Sequence, residues 1–221
     1  MEITIPENLN EITIRQYNEF AKQTKDVDNE EFVNRKMVEI FCNIKQDITK
    51  ISISKFQDAT DILVNAFKEK QTFTPTFELD GVTYGFIPKL EDISLGEFID
   101  LNKYLGDENA FAEAMSVMYR PVTEKSRKLY NIQEYEADQE AIDVMLNAPF
   151  GIFQGAMVFF YHLGNDLLKA TLPSLEVAME TTLQQQDNLE LNGDGIKASM
   201  HLLTETLQSL TKLHDLESIN V

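Results

Sequence analysis

Helix entries are written into this sequence more plainly than any other feature, and they limit it to folds built around many short helices. Ser94-x-x-Glu97 is a capping box: the serine oxygen can accept from the backbone N–H three residues on, and the glutamate from the serine's own N–H. Ile93 and Phe98 flank it at the spacing of a hydrophobic staple. Thr13 with Gln16, stapled by Ile12 and Tyr17, repeats the design. Asp28 with Glu31, stapled by Val27 and Phe32, offers a third box, and Ser54 with Gln57 a fourth that lacks its staple. With Asp107 opening a further helix, these entries predict helices over about 14–24, 29–43, 54–70, 95–105 and 108–119. Apolar spacing agrees: Phe32, Val33, Met37, Ile40 and Phe41 make one stripe, and Ile62, Leu63, Ala66 and Phe67 another.

Between the third and fourth helices the apolar period changes to two. Phe77, Leu79, Val82, Tyr84 and Phe86 alternate around Asp80-Gly81, whose residues tolerate the positive φ of a tight hairpin turn. The fold class expected is therefore mainly α: a helical bundle with a small β-hairpin at about 77–86, to which Glu2–Ile5 can add a strand.

Two stretches share a plan. Ile5-Pro6 leads to Leu9-Asn-Glu-Ile-Thr-Ile14, then Tyr17 and Phe20. Ile87-Pro88 leads to Leu90-Glu-Asp-Ile-Ser-Leu95, then Phe98 and Leu101. Each is followed by a second helix. Either a strand–helix–helix unit has been duplicated at an offset of about 80 residues, or two helix entries have converged on one capping chemistry.

Past Arg120-Pro121 the sequence reads as an exposed loop through Glu124–Lys128, which suggests a helical lobe with the hairpin over 1–120 and an acidic all-helical lobe over 121–221, unless both belong to one compact domain. A long helical region is predicted from about Ala137 to Gln186, broken near Pro149 and Pro173. Within it, Gly151 and Gly155 allow a close neighbour. A polar connection ends at Asn192-Gly-Asp-Gly195, and a last helix runs from Ile196 to about Leu216. Its seam of Ile196, Met200, Leu203, Leu207, Leu210 and His214 can pack on its own domain or on a partner helix.

Formal net charge is −18, and from Asn131 onward 14 acidic residues face three basic ones. Such a surface repels nucleic acid and anionic lipid, so neither is an expected partner. The most apolar stretch, Pro149–Leu163, is shorter than the ~20 residues a membrane span needs. Cys42 is the lone cysteine and sits in an apolar helical pattern, as a buried thiol would. His162, His201 and His214 form no recognisable metal motif, and Asn192–Gly195 fails as a calcium loop because the bidentate position falls on His201. Phosphate-binding glycine loops and nucleophile elbows are absent from the sequence. Glu134, Glu136, Asp138, Glu140 and Asp143 cluster as a solvated helix entry would. No enzymatic activity, cofactor or metal is expected. Arg120, Lys125, Arg127 and Lys128 are the one basic patch, flanked by Tyr119 and Tyr130; contact with an acidic neighbour, a second copy included, is its expected use. With Met200, Leu203, Leu207 and Leu210 of the last helix, these residues are the candidate partner-binding positions.

Three stretches carry a family resemblance: Gly85-Phe-Ile-Pro-Lys-Leu-Glu-Asp-Ile-Ser-Leu-Gly-Glu-Phe-Ile-Asp-Leu101, Met118-Tyr-Arg-Pro121 and Phe159-Phe-Tyr-His-Leu-Gly-Asn-Asp-Leu167. They resemble proteins of tailed bacteriophages of Bacteroidetes hosts, the crAss-like group included, and more faintly tail or baseplate assembly proteins of large contractile phages. The resemblance implies a part in building the virion, with other virion or tail proteins, or further copies in a ring, as partners. The virion, assembled in the host cytoplasm, would be its location. No catalytic residue is carried over with it. A tail assembly chaperone that leaves before maturation is the alternative, and an enzyme or an acidic host-directed inhibitor stands as the reading from another class.

Overall fold

The computed structural model describes residues 3–163 other than Gln46, Glu108, Arg127 and Lys128. The chain divides into two compact units after Ala156, and residues 157–163 are the described part of the second.

The first unit is mainly helical with one small antiparallel sheet. Helices α1 (Ile14–Thr24), α2 (Glu30–Phe41) and α3 (Ile53–Lys68) lead to strands β1 (Thr76–Leu79) and β2 (Val82–Phe86). Helices α4 (Leu95–Leu105) and α5 (Phe111–Met118) follow, and α5 passes directly into β3 (Tyr119–Ser126), which turns back as β4 (Leu129–Ile132). Helix α6 (Gln139–Met145) precedes a further helix, α7, which begins at residue 150. The sheet order is β1-β2-β3-β4, every pair antiparallel.

The boxes at Thr13 and Ser94 form in full, and their helices start where the sequence places them. Two other entries differ. Asn29, not Asp28, caps α2 by accepting from Phe32 N, and Ser52, not Ser54, caps α3 by accepting from Lys55 N. In both cases several small polar residues compete for one role, and the start is chosen by which register turns the apolar stripe inward. The hairpin turns at Asp80 and Gly81, with φ of 51° and 79°.

The sheet is larger than a hairpin, and its extra strands come from the segment read as the end of a helix and a loose loop. Tyr119 pairs opposite Phe86 and Arg120 opposite Gly85, so β3 joins the hairpin, while residues 3–5 join no strand. Tyr130 on β4 lies across Gly85, where even a Cβ would come within 2.5 Å of its ring, and its hydroxyl donates to Phe86 O at 2.9 Å. Because β2 and β3 pair across Arg120, the division expected between 120 and 121 falls inside one sheet.

One core holds the helices together. Tyr17 stacks on Phe150 with ring centroids 3.9 Å apart, and Phe67, Phe111 and Phe153 close around that pair. A second aromatic group, Phe77, Phe86 and Tyr119, seats the sheet. Tyr119 is fully buried and its hydroxyl donates to Thr74 O at 2.8 Å, so its polar end is satisfied inside. Cys42 is buried, and burial pushes its thiol up to about 11, away from reactivity at neutral pH.

Gly151 and Gly155 mark close packing, against the 3-10 turn at Leu9–Glu11 and the loop at Thr72 respectively. A Cβ at Gly155 would collide with the Thr72 carbonyl oxygen, and one at Gly151 with the Asn10 side chain. Replacing Gly155 by valine should therefore destabilise the first unit by about 2–3 kcal/mol, since backbone at Thr72 must move. Urea unfolding checks this; an unchanged midpoint would mean that loop yields freely.

The two similar stretches fold alike. A 3-10 turn at Leu9–Glu11 has its counterpart at Leu90–Asp92, and each start lies 81 positions on: Leu9 to Leu90, Ile14 to Leu95, Glu30 to Phe111. Both long helices cover 11 residues, and in each copy the first helix packs on the second. Met37 and Met118, also 81 apart, are both fully buried. The shared unit is turn–helix–helix; among the described residues, the strand that precedes it occurs in the second copy alone.

Candidate interaction face on the fourth helix

The third helical position of each copy does the same two jobs. In α1, Gln16 Oε1 accepts from Thr13 N at 3.0 Å, completing the cap, while its Nε2 donates to Ile40 O at 3.1 Å at the end of α2. In α4, Glu97 Oε2 accepts from Ser94 N at 2.7 Å, while Oε1 accepts from Arg120 at 2.5 Å, just past the end of α5. Each side chain thus ties a helix start to the far end of the next helix. The glutamate does it as a buried ion pair, both side chains being largely excluded from water. Burial pushes the Glu97 carboxyl up, but hydrogen bonds from Ser94 and the Arg120 charge outweigh it and hold the group below its ordinary 4.5. The Arg120 guanidinium also lies 5.7 Å from the Tyr135 ring centre, and Tyr135 donates to Asp100 at 2.6 Å. Arg120 Nε has no hydrogen-bond partner among the described residues.

The copies part on their outer faces. In the first, Ile14 is fully buried and Tyr17 nearly so, because residues 146–150 cross α1. Ile14 N donates to Ala148 O at 3.0 Å, Arg15 N to Leu146 O at 2.8 Å, and Phe150 N to Ile12 O at 2.7 Å. In the second copy nothing among the described residues takes that place. Leu95, the counterpart of Ile14, is 75% exposed; Phe98, the counterpart of Tyr17, is 57% exposed; and Ile99 beside them is 55% exposed. At i, i+3 and i+4 these three side chains share one face of α4. Three large apolar groups together on a helix of a protein this charged are a mark of contact. Scattered single residues, such as Ile53 and Leu129, are not.

The residues expected to bind partners are distributed differently. Arg120 faces inward and its charge is used by Glu97, so it leaves the basic patch. Lys125 is exposed on β3, and Tyr130 is held by the sheet. Arg127, Lys128, Met200, Leu203, Leu207 and Leu210 lie outside the described residues, as do His201, His214, the Asn192–Gly195 loop and the last helix. The acidic cluster from Glu134 to Asp143 is exposed throughout. Among the described residues no group of three His, Cys, Asp or Glu side chains is placed to hold a metal, and no helix is long and apolar enough to cross a membrane.

The α4 face was missed because Leu95, Phe98 and Ile99 read as ordinary core positions of an amphipathic helix. A signal existed: α4 has apolar residues at 95, 98, 99 and 101, a wider arc than one buried stripe requires.

Comparison with protein-family models, with curated proteins and with solved structures returned no match.

Proposed function

We propose that this protein works by binding other proteins, as a non-enzymatic structural or assembly component of the head–tail or tail region of a bacteriophage. The observation that carries the binding reading is the open α4 face: Leu95, Phe98 and Ile99 stand in water where the equivalent side chains of the first copy are covered. Removing about 100 Å² or more of apolar surface per such side chain from water favours association by a few kcal/mol in total. The phage setting rests on the resemblance of residues 85–101, 118–121 and 159–167. A net charge of −18 supports protein partners over nucleic acid.

Quantitative mass spectrometry of purified particles beside the infected-cell lysate tests this. Several copies per particle, in fixed ratio to the portal, are expected. Abundance in the lysate with absence from particles would replace the structural reading with that of an assembly chaperone, and absence from both the particles and any complex with virion proteins would remove the phage reading.

A further inference from the structure

We infer that the α4 face receives, from a partner protein, an extended segment that turns through a proline into an aromatic-led helix, as residues 146–153 do on α1. This deepens the protein-binding reading above and rests on it.

The internal repeat supplies the template. On α1, the first two helical amides, of Ile14 and Arg15, donate to Ala148 O and Leu146 O; Thr13 pairs with Pro149, and Phe150 lies on Tyr17 as the next helix begins. On α4, the corresponding donors are Leu95 N and Gly96 N, which have no acceptor among the described residues, and the corresponding ring is Phe98. The corresponding acceptor, Ile93 O, follows the same extended backbone: ψ is 138° at Ile93 and 132° at Ile12. Gly96 stands where α1 has Arg15, and the space over it is open, the nearest atom to a side chain there being Ser94 Oγ at 3.9 Å. A visiting backbone can therefore approach the α4 start at least as closely as residues 146–150 approach α1. The chemistry of the visitor follows: two acceptor carbonyls, a proline, then an aromatic side chain to cover Phe98.

A second copy of this chain is a poor visitor. Its own segment is already engaged, with Ala148 and Phe150 buried, and two chains of net charge −18 repel each other. Near the face, Glu91, Asp92, Asp100 and Asp107 outnumber Lys89 and Lys103, so the visiting segment is flanked by basic residues.

The probe is a fluorescent peptide with the sequence of residues 144–157 and two lysines added at its end, titrated onto the full-length protein. Binding is expected at or below roughly 1 mM. It should weaken about tenfold or more on Phe98→Glu, a substitution at an exposed position, and equally when the peptide's proline and first phenylalanine become alanine. Affinity unchanged by Phe98→Glu, equal affinity for both peptides, or no binding would overturn the inference. So would a self-association of the protein that Phe98→Glu abolishes. Virion proteins that co-purify with the wild type but not with Phe98→Glu, alongside a silent peptide, would leave protein binding standing and overturn the visitor's chemistry alone. Co-purification unaffected by Phe98→Glu would take the α4 face out of that function.

Discussion

Phe150→Ala should be the most damaging single truncation in the first unit, lowering its stability by about 3–5 kcal/mol. The ring is 2% exposed, stacks on Tyr17, and lies within ring-contact distance of Phe67, Phe111 and Phe153. Those groups come from four different helices, so no single rotamer change can fill the void. Its backbone N–H also holds Ile12 O, which survives the substitution and keeps the segment near α1. The effect should therefore be a fall in the urea midpoint without loss of helical circular dichroism in the native baseline. Phe98→Ala, at the equivalent place in the second copy, should change stability by less than about 0.5 kcal/mol, because its ring is already in water. Similar costs at the two positions would show that the α4 face is covered in the isolated protein.

Glu97→Ala should cost about 3–5 kcal/mol, for a different reason. It leaves the Arg120 guanidinium buried beside no carboxylate, and it removes half of the α4 capping box. Glu97→Gln separates the two losses. Gln16 shows that a carboxamide at this position can close the cap, so the glutamine variant should keep the helix start and lose the charge pairing alone. Adding Arg120→Met should then recover much of the stability, since an apolar pair of similar volume needs no compensation. The pH dependence has a definite sign. The folded-state carboxyl of Glu97 lies below its ordinary 4.5, so its contribution is complete above that value. That contribution is lost as pH falls from about 4.5 through the lower folded value. Urea midpoints taken from pH 7 down to pH 3 should fall more steeply for the wild type than for Glu97→Gln. Parallel curves would mean that the ion pair contributes nothing beyond the cap.

The arrangement also gives the repeat a physical rationale. A turn–helix–helix unit held by its third-position side chain is locally complete, but it leaves one face of its first helix apolar and open. In the first unit the chain itself returns to cover that face; in the second no segment among the described residues does. Whether the two units arose by duplication or by convergence on one capping chemistry, the covered one shows that the geometry of such a helix start is suited to polypeptide.

What could be read without coordinates was local. The starts of α1 and α4 were legible because a capping box closes within four residues, and the Asp80-Gly81 turn because positive φ is a property of the two residues that adopt it. The strands β3 and β4 were not legible, because Tyr119 and Arg120 become a strand by pairing with Phe86 and Gly85, more than thirty positions away. That pairing also took Arg120 out of the basic patch. Arg120, paired within the sheet, is turned toward Glu97, while Lys125, beyond the irregularity between Val122 and Glu124, stays in solvent. The open face shows the same division most sharply. Ile14-x-x-Tyr17 and Leu95-x-x-Phe98 are near-identical local instructions and produce near-identical helices. Whether such a face becomes core or surface depends on which other segment can reach it: residues 146–150 cover the face of α1, and no described segment covers that of α4.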